Sequence, residues 1–342
     1  MEVEYGFREA KRWFMRAGHV NGAVEAVLRL GTAHRLGGNH AKSLECARQV
    51  EEIVDLDECR SHDPEFYCYV RTYQGDFYVN AGEFEIAERC LQDANEVADQ
   101  LGSVLPAVRR AQLHLQLSSL YYQVGKYKLG EEHGKKSLRL EEEVYGKGSV
   151  ESCNGMNQVG WCLLGQSSKA EEALVQFEES YRIRKQLYGD TNPFTSVSLR
   201  NCAVAHMEMG GKWLDVAEEE LGRVLEARKT LYAGRADQQG RIAETLLDLG
   251  RLQLYTTRES RAEDALRYAC DTEKIYRDLG GSSHSRSIAS CLELRGDAMT
   301  LLGDFVEACV CYEESMRLYR QAYGENSDHS NIQRLQEKLG ES

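Results

Sequence analysis

A small residue returns seven times at a nearly fixed interval: Ser43, Ala87, Gly130, Ala173, Ala217, Ala265 and Ala308 stand 44, 43, 43, 44, 48 and 43 residues apart. A period of that length restricts the chain to an architecture in which one supersecondary unit is stacked on copies of itself. Around each anchor a second small residue usually precedes by twelve or thirteen positions, a turn glycine by about five, and an apolar position follows by four. The last unit reads Gly296, Met299, Gly303, Phe305, Ala308 and Tyr312, and the second reads Gly75, Tyr78, Gly82, Phe84, Ala87 and Leu91. Two antiparallel helices require this set: small residues where they cross, a tight turn between them, and a large side chain as a plug.

Helix boundaries fall between the units. The chain breaks about sixteen residues after an anchor, at Tyr145-Gly146, Tyr188-Gly189 and Tyr323-Gly324, where glycine ends a helix in the left-handed conformation. Pro64, Pro106 and Pro193, the only three prolines, follow Ser43, Ala87 and Ala173 by 21, 19 and 20 residues. Proline clashes in a helix interior, so these positions mark helix starts. The register persists without gaps between AEEALVQFEESYRIRKQLYG from Ala170, AEDALRYACDTEKIYRDLGG from Ala262 and DFVEACVCYEESMRLYRQAYG from Asp304.

These residues resemble the tetratricopeptide repeat, in the longer form of about 42 residues found in kinesin light chains and many adaptors. The resemblance covers about residues 20 to 327. It implies an all-α, right-handed solenoid of about seven helical hairpins. The expected division is an N-terminal capping helix at 1–20, the solenoid at 21–327, and a C-terminal capping helix and tail at 328–342.

The ends fit that plan. Tyr5, Ala10, Trp13, Phe14 and Ala17 recur at helical spacing before Gly18, while Ile332, Leu335 and Leu339 make an apolar stripe from which Gln333, Arg334, Gln336, Glu337 and Lys338 are expected to face away. The first hairpin is expected from Asn21 to Asp57 with its turn at Gly37 and Gly38. Extra residues are expected in the turns at Gly165 to Lys169 and Gly210 to Trp213, and at Thr256 to Ser260 with the junction near Arg235. A turn accepts an insertion while its helices keep their faces.

Composition narrows the function. The 42 Lys and Arg face 55 Asp and Glu, a net charge of −13 spread along the repeats, and no basic stripe exceeds pairs such as Arg109-Arg110 and Lys135-Lys136. A nucleic-acid partner is not expected. Eleven cysteines lack zinc spacing, and Cys90, Cys162, Cys202 and Cys309 fall in the apolar pattern as buried free thiols. The opening residues lack a secretory pattern and no long apolar span occurs, so a cytoplasmic location, with the nucleus as the other option, is expected and membrane insertion is not.

The resemblance further implies that first helices line a concave face, with groove residues at offsets two, five, six, nine and thirteen when the crossing residue is eight. These offsets select Tyr69, Thr72, Tyr73, Asp76 and Asn80, then Gln112, Gln116, Ser119 and Gln123, then Asn154, Asn157, Gln158 and Trp161, then Arg200, Asn201 and Glu208. The surface continues to Asp248 and Arg251. Carboxamides both donate and accept, so they suit a peptide backbone, and Tyr69, Tyr73 and Trp161 suit its bulky side chains. Met156 to Gly160 and Leu199 to Ala203 are similar to the Leu-Asn-Asn-Leu-Ala pattern of kinesin light chains, but no long heptad region accompanies them. The lysine, arginine and asparagine clamp of chaperone-binding relatives is interrupted by Leu28, Thr32, Val204 and Asp248, leaving Arg29, Arg35, Arg200 and Arg251 to meet acidic groups singly.

No nucleophile with its base, paired catalytic carboxylates, phosphate loop or metal spacing emerges, so neither catalysis nor a cofactor is expected. His34, His114 and His206 read as packed histidines, and Glu141 to Glu143 and Glu218 to Glu220 as exposed faces. The expected function is a scaffold or adaptor binding a peptide of a protein partner, with self-association left open. Two alternatives are a sensor of a small ligand or signalling peptide, and a structural subunit presenting Tyr181, Tyr276 and Tyr319 on its convex side.

Overall fold

The computed structural model describes residues 2–36, 39–255, 259–280, 284–323 and 329–340, and among them are seventeen α-helices and no strand. Two compact units divide the chain, residues 1–147 and 148–342.

The first unit contains α1 (Glu2–Arg16), α2 (Val20–Leu36), α3 (His40–Ile53), α4 (Leu56–His62), α5 (Pro64–Ala81), α6 (Phe84–Leu101), α7 (Ala107–Gln123) and α8 (Tyr127–Tyr145). Hairpins form from α2 with α3, α5 with α6 and α7 with α8, and α1 packs on α2. The second unit contains α9 (Ser152–Leu164), α10 (Ala170–Tyr188), α11 (Pro193–Met209), α12 (Trp213–Leu231), α13 (Gln239–Leu254), α14 (Glu259–Asp278), α15 (Ser285–Leu301), α16 (Phe305–Tyr323) and α17 (Ser330–Leu339). Its four hairpins pair α9 with α10, α11 with α12, α13 with α14 and α15 with α16, and α17 packs on α16. Every anchor lies in the second helix of a hairpin and is buried.

Crossings are as tight as the spacing predicts. A Cβ on Gly75 would stand 2.5 Å from Leu91, one on Gly160 2.4 Å from Phe177, and one on Gly296 2.5 Å from Tyr312. Each of these plugs follows its anchor by four residues. In α7 the crossing residue is Ser118, whose hydroxyl donates to the Gly130 carbonyl at 2.6 Å. Pro64 and Pro193 are the first residues of α5 and α11, and Pro106 immediately precedes α7. Gly146 and Gly189 end α8 and α10 with φ of 89° and 80°.

The second helices bury a row at four, seven and eleven residues after the anchor. In α10 this row is Phe177, Ser180 and Arg184; in α14 it is Ala269, Thr272 and Tyr276; in α16 it is Tyr312, Ser315 and Tyr319. Seven residues separate two positions on one helix face, and eleven complete the third turn. The row corrects two expectations. Tyr276 and Tyr319 are buried, leaving Tyr181, half-buried, as the most exposed of the three, and Glu141, eleven after Gly130, is buried instead of solvated. The inward hydroxyls of Ser137 and Ser315 donate to the carbonyls of Ala111 and Ala289, each at 2.8 Å.

The ends are corrected in part. α1 turns Phe7, Ala10, Lys11 and Phe14 inward, the Phe14 ring lying 2.5 Å from where a Cβ on Gly22 would stand, whereas Tyr5 and Trp13 project outward at 68% and 63% exposure. Residues 5 and 13 lie about half a turn from that face. α17 buries Ile332 and Leu335 as expected, but Arg334 and Lys338 turn toward α15, because Glu293 and Asp297 await them there. α4, capped by Asp55, interrupts the predicted link after the first hairpin. Nine cysteines are buried and free; Cys270 and Cys309 are exposed, the latter against expectation because it stands one residue after the buried anchor.

The turns at 165–169 and 210–212 fall where expected, and a short 3-10 turn at Ala236–Gln238 occupies the junction near Arg235. The proposed turn at Gly37 and Gly38, residues 256–258 of the Thr256 to Ser260 turn, and the break at Gly324 lie outside the described residues. No helix among the described residues is long and apolar enough to cross a membrane.

Candidate peptide-binding surface

In the first unit, α5 and α7 carry nine of the selected residues. Tyr69 and Tyr73, one turn apart, meet edge to face with ring centroids 4.8 Å apart; Phe66 continues this ladder at 6.0 Å from Tyr69 and Phe77 at 6.2 Å from Tyr73. The guanidinium of Arg109 lies 4.5 Å from the Tyr69 ring centroid, a cation over a π-face. Burial pushes the Tyr69 phenol pKa upward. Asn80 donates from Nδ2 to the Asp76 carbonyl and carboxylate at 2.7 and 2.9 Å, and Arg35 pairs with the same carboxylate at 2.9 Å. Gln112, Gln116 and Gln123 form a half-buried row along one face of α7.

α7 and α8 also join His114 and His133, their Nδ1 atoms 3.2 Å apart. Burial first, then neighbouring positive charge, hold both rings down at about 4. With both values that low, both rings are neutral at pH 7, and one donates to the other. This is a packing pair. In the second unit His206 is likewise committed, with Nδ1 2.8 Å from Glu220 and its ring stacked on Trp213.

Within the second unit, α9, α11 and α13 carry the remaining nine. Asn154 is exposed and its Oδ1 accepts from Arg184 at 2.8 Å. Gln158 and Trp161 are half-buried, Trp161 lying edge to face on Phe177 at 5.5 Å. Arg200 Nε meets Asp248 at 2.5 Å and Arg251 approaches the other carboxylate oxygen at 3.7 Å, so three selected residues form one ion cluster. Burial opposes the charge on Arg200, but Asp248 and Glu244 outweigh it and raise its pKa.

Asn157 and Asn201 stand apart from the others. They retain 9% and 2% exposure, and Asn157 Oδ1 and Asn201 Nδ2 have no hydrogen-bond partner among the described residues. One is an acceptor and the other a donor, the complement of the two polar groups of a peptide unit. A buried unsatisfied polar atom costs about 1–3 kcal/mol.

Two arginines escaped sequence reasoning. Arg184 donates to Asn154, Ser198 and the Phe194 carbonyl, while Arg228 reaches Thr245 at 3.0 Å, Glu244 at 3.3 Å and the Arg241 carbonyl. Each is buried eleven residues after its anchor, the offset of Tyr276 and Tyr319. That recurrence was the available signal. It assigns basic side chains to the space between helices instead of solvent.

The tetratricopeptide-repeat family profiles match residues 109–186 and 288–331. Among solved structures, the chain is similar to a Rap protein complexed with Competence and Sporulation Factor, at 12% identity and TM-score 0.55 over 99% of each chain. It is also similar to the apo form of RapI, at 17% identity and TM-score 0.52 over 80% of this chain and 99% of that one. A putative kinesin light chain of Podosopora anserina with TPR-like repeats gives 16% identity and TM-score 0.45 over 63% of this chain and 96% of its own. No curated protein matches the chain. With its period of about 43 residues, its stacked helical hairpins and both profile matches, the chain carries tetratricopeptide repeats at residues 109–186 and 288–331 and is an all-α solenoid of helical hairpins, a fold typical of protein–protein interaction.

Proposed function

We propose that this protein is a non-enzymatic scaffold that holds an extended segment of a partner protein along the first-helix face of its hairpins. The observation that carries the reading is the pair of buried carboxamide atoms, Asn157 Oδ1 and Asn201 Nδ2, without partners among the described residues. A peptide backbone supplies an N–H to the first and a carbonyl to the second, converting two unfavourable burials into hydrogen bonds. In the first unit, Tyr69, Tyr73, Gln112 and Gln116 provide a face of their own on α5 and α7. Asn80, Asp248, Arg200 and Arg251 are committed to each other or to neighbours, so they shape the face more than they contact the ligand. The partition into caps at 1–20 and 328–342 around repeats at 21–327, a cytoplasmic setting, and a protein instead of a nucleic-acid partner belong to the same reading.

Replacing Asn157, Asn201 and Gln116 together by alanine tests it. Because two of the six polar atoms removed are orphaned, helicity and the unfolding midpoint should be unchanged or raised, while partners recovered by affinity purification with the wild-type chain disappear. An unchanged partner list with an unchanged fold rejects the groove.

A further inference from the structure

The seat of α17 has the chemistry of a receptor. On α15, Glu293 and Asp297 project one helical turn apart, and Glu293 keeps only 7% of its side chain exposed. Arg334 grips Glu293 with two parallel bonds, Nε to Oε1 at 2.6 Å and Nη2 to Oε2 at 2.8 Å. Lys338, one turn further, reaches Glu293 at 2.9 Å and Asp297 at 2.6 and 2.9 Å. Ile332 and Leu335 fill the apolar part of the same seat beside Ala289, Tyr312 and Tyr319.

Among the described residues, both cations on Glu293 come from α17. Burial alone would raise that carboxyl pKa, yet Arg334 and Lys338 hold it down at about 2. The seat therefore demands positive charge, and a bidentate arginine satisfies it with defined geometry. Asp248 is served differently: its cations Arg200 and Arg251 lie on α11 and α13, both members of helical hairpins. α17 is a single helix of 10 residues, below the length that is stable alone in water. Its order depends on the seat, and its occupancy on mass action.

We propose that the α15 face bearing Glu293 and Asp297 is a binding site for a cationic amphipathic helix, and that α17 is the intrachain occupant which a partner helix of the same pattern replaces. The pattern is that of Ile332, Arg334, Leu335 and Lys338: two apolar residues three apart, with an arginine and a lysine four apart. The chain's net charge of −13 favours encounter with such a segment. This site lies on α15 at offsets five and nine of the first-helix face, apart from the amide positions, and its ion pairs stand whether or not those amides bind a peptide.

The test uses a fluorescein-labelled synthetic peptide of residues 329–340 and the full-length chain. Arg334→Glu with Lys338→Glu should strip hydrogen-exchange protection from α17 and bind the peptide at least tenfold more tightly than the wild type does. Adding Glu293→Gln and Asp297→Asn should abolish that gain. Equal binding by wild type and the charge-reversed chain, or binding by neither, overturns the proposal. So does protection of α17 that survives charge reversal. If the reversed chain does not fold, Arg334→Gln with Lys338→Gln takes its place with the same readouts.

Discussion

At the scale of single residues, the hairpins depend on absent atoms. Gly160 faces Phe177 with no room for a methyl group, so Gly160→Ala should cost about 1–3 kcal/mol by overpacking, measured as a lower urea midpoint. Phe177→Leu in the same chain should recover part of it. The histidine pair sets a pH window. Both folded-state values lie near 4 against 6.5, so the unfolded chain binds more protons between these limits and stability falls as pH drops from about 6.5 to 4. His133→Asn should flatten that slope in an equilibrium denaturation series. The crossing glycines were legible because steric exclusion leaves few residue types. The histidine pair was not, since His133 lies on α8 and only the packed hairpin brings it to His114.

At the scale of elements, helix limits were legible wherever glycine or proline imposed them, as at Pro64, Pro193, Gly146 and Gly189. α4 was not legible: its seven residues are too few for a periodic stripe, and only Asp55, accepting from the N–H groups of Asp57 and Glu58, announces it. The charged side of α17 was misread for a different reason. Arg334 and Lys338 are polar, and polarity alone does not say whether a side chain meets water or a carboxylate. The attachment of α17 should consequently depend on acid. Glu293 has a depressed pKa, so its contribution is present above about 4.5 and lost as pH falls toward about 2. Hydrogen exchange should show α17 fraying in that window while α15 and α16 stay protected, and Glu293→Gln should fray it already at neutral pH.

At the scale of the molecule, the repeat period specified seven hairpins, because any other arrangement would leave the small anchors without close neighbours. The candidate surface was legible as a set of positions but not as a set of free groups. Offsets name residues, whereas pairing such as Arg200 with Asp248 depends on two helices 48 residues apart in sequence. The distribution of sulfur has a practical consequence. A thiol-reactive dye applied to the native protein should modify Cys270 and Cys309 rapidly and the other nine slowly, as counted by mass spectrometry. Burial also pushes Cys46, Cys68 and Cys90 up to about 11, which suppresses their reactive thiolates. Each silent thiol becomes visible when its own helix opens: Cys46 in α3, Cys59 in α4, Cys68 in α5, Cys90 in α6, Cys153 and Cys162 in α9, Cys202 in α11, Cys291 in α15 and Cys311 in α16. The chain thus carries its own clock for local opening, readable helix by helix without any added label site.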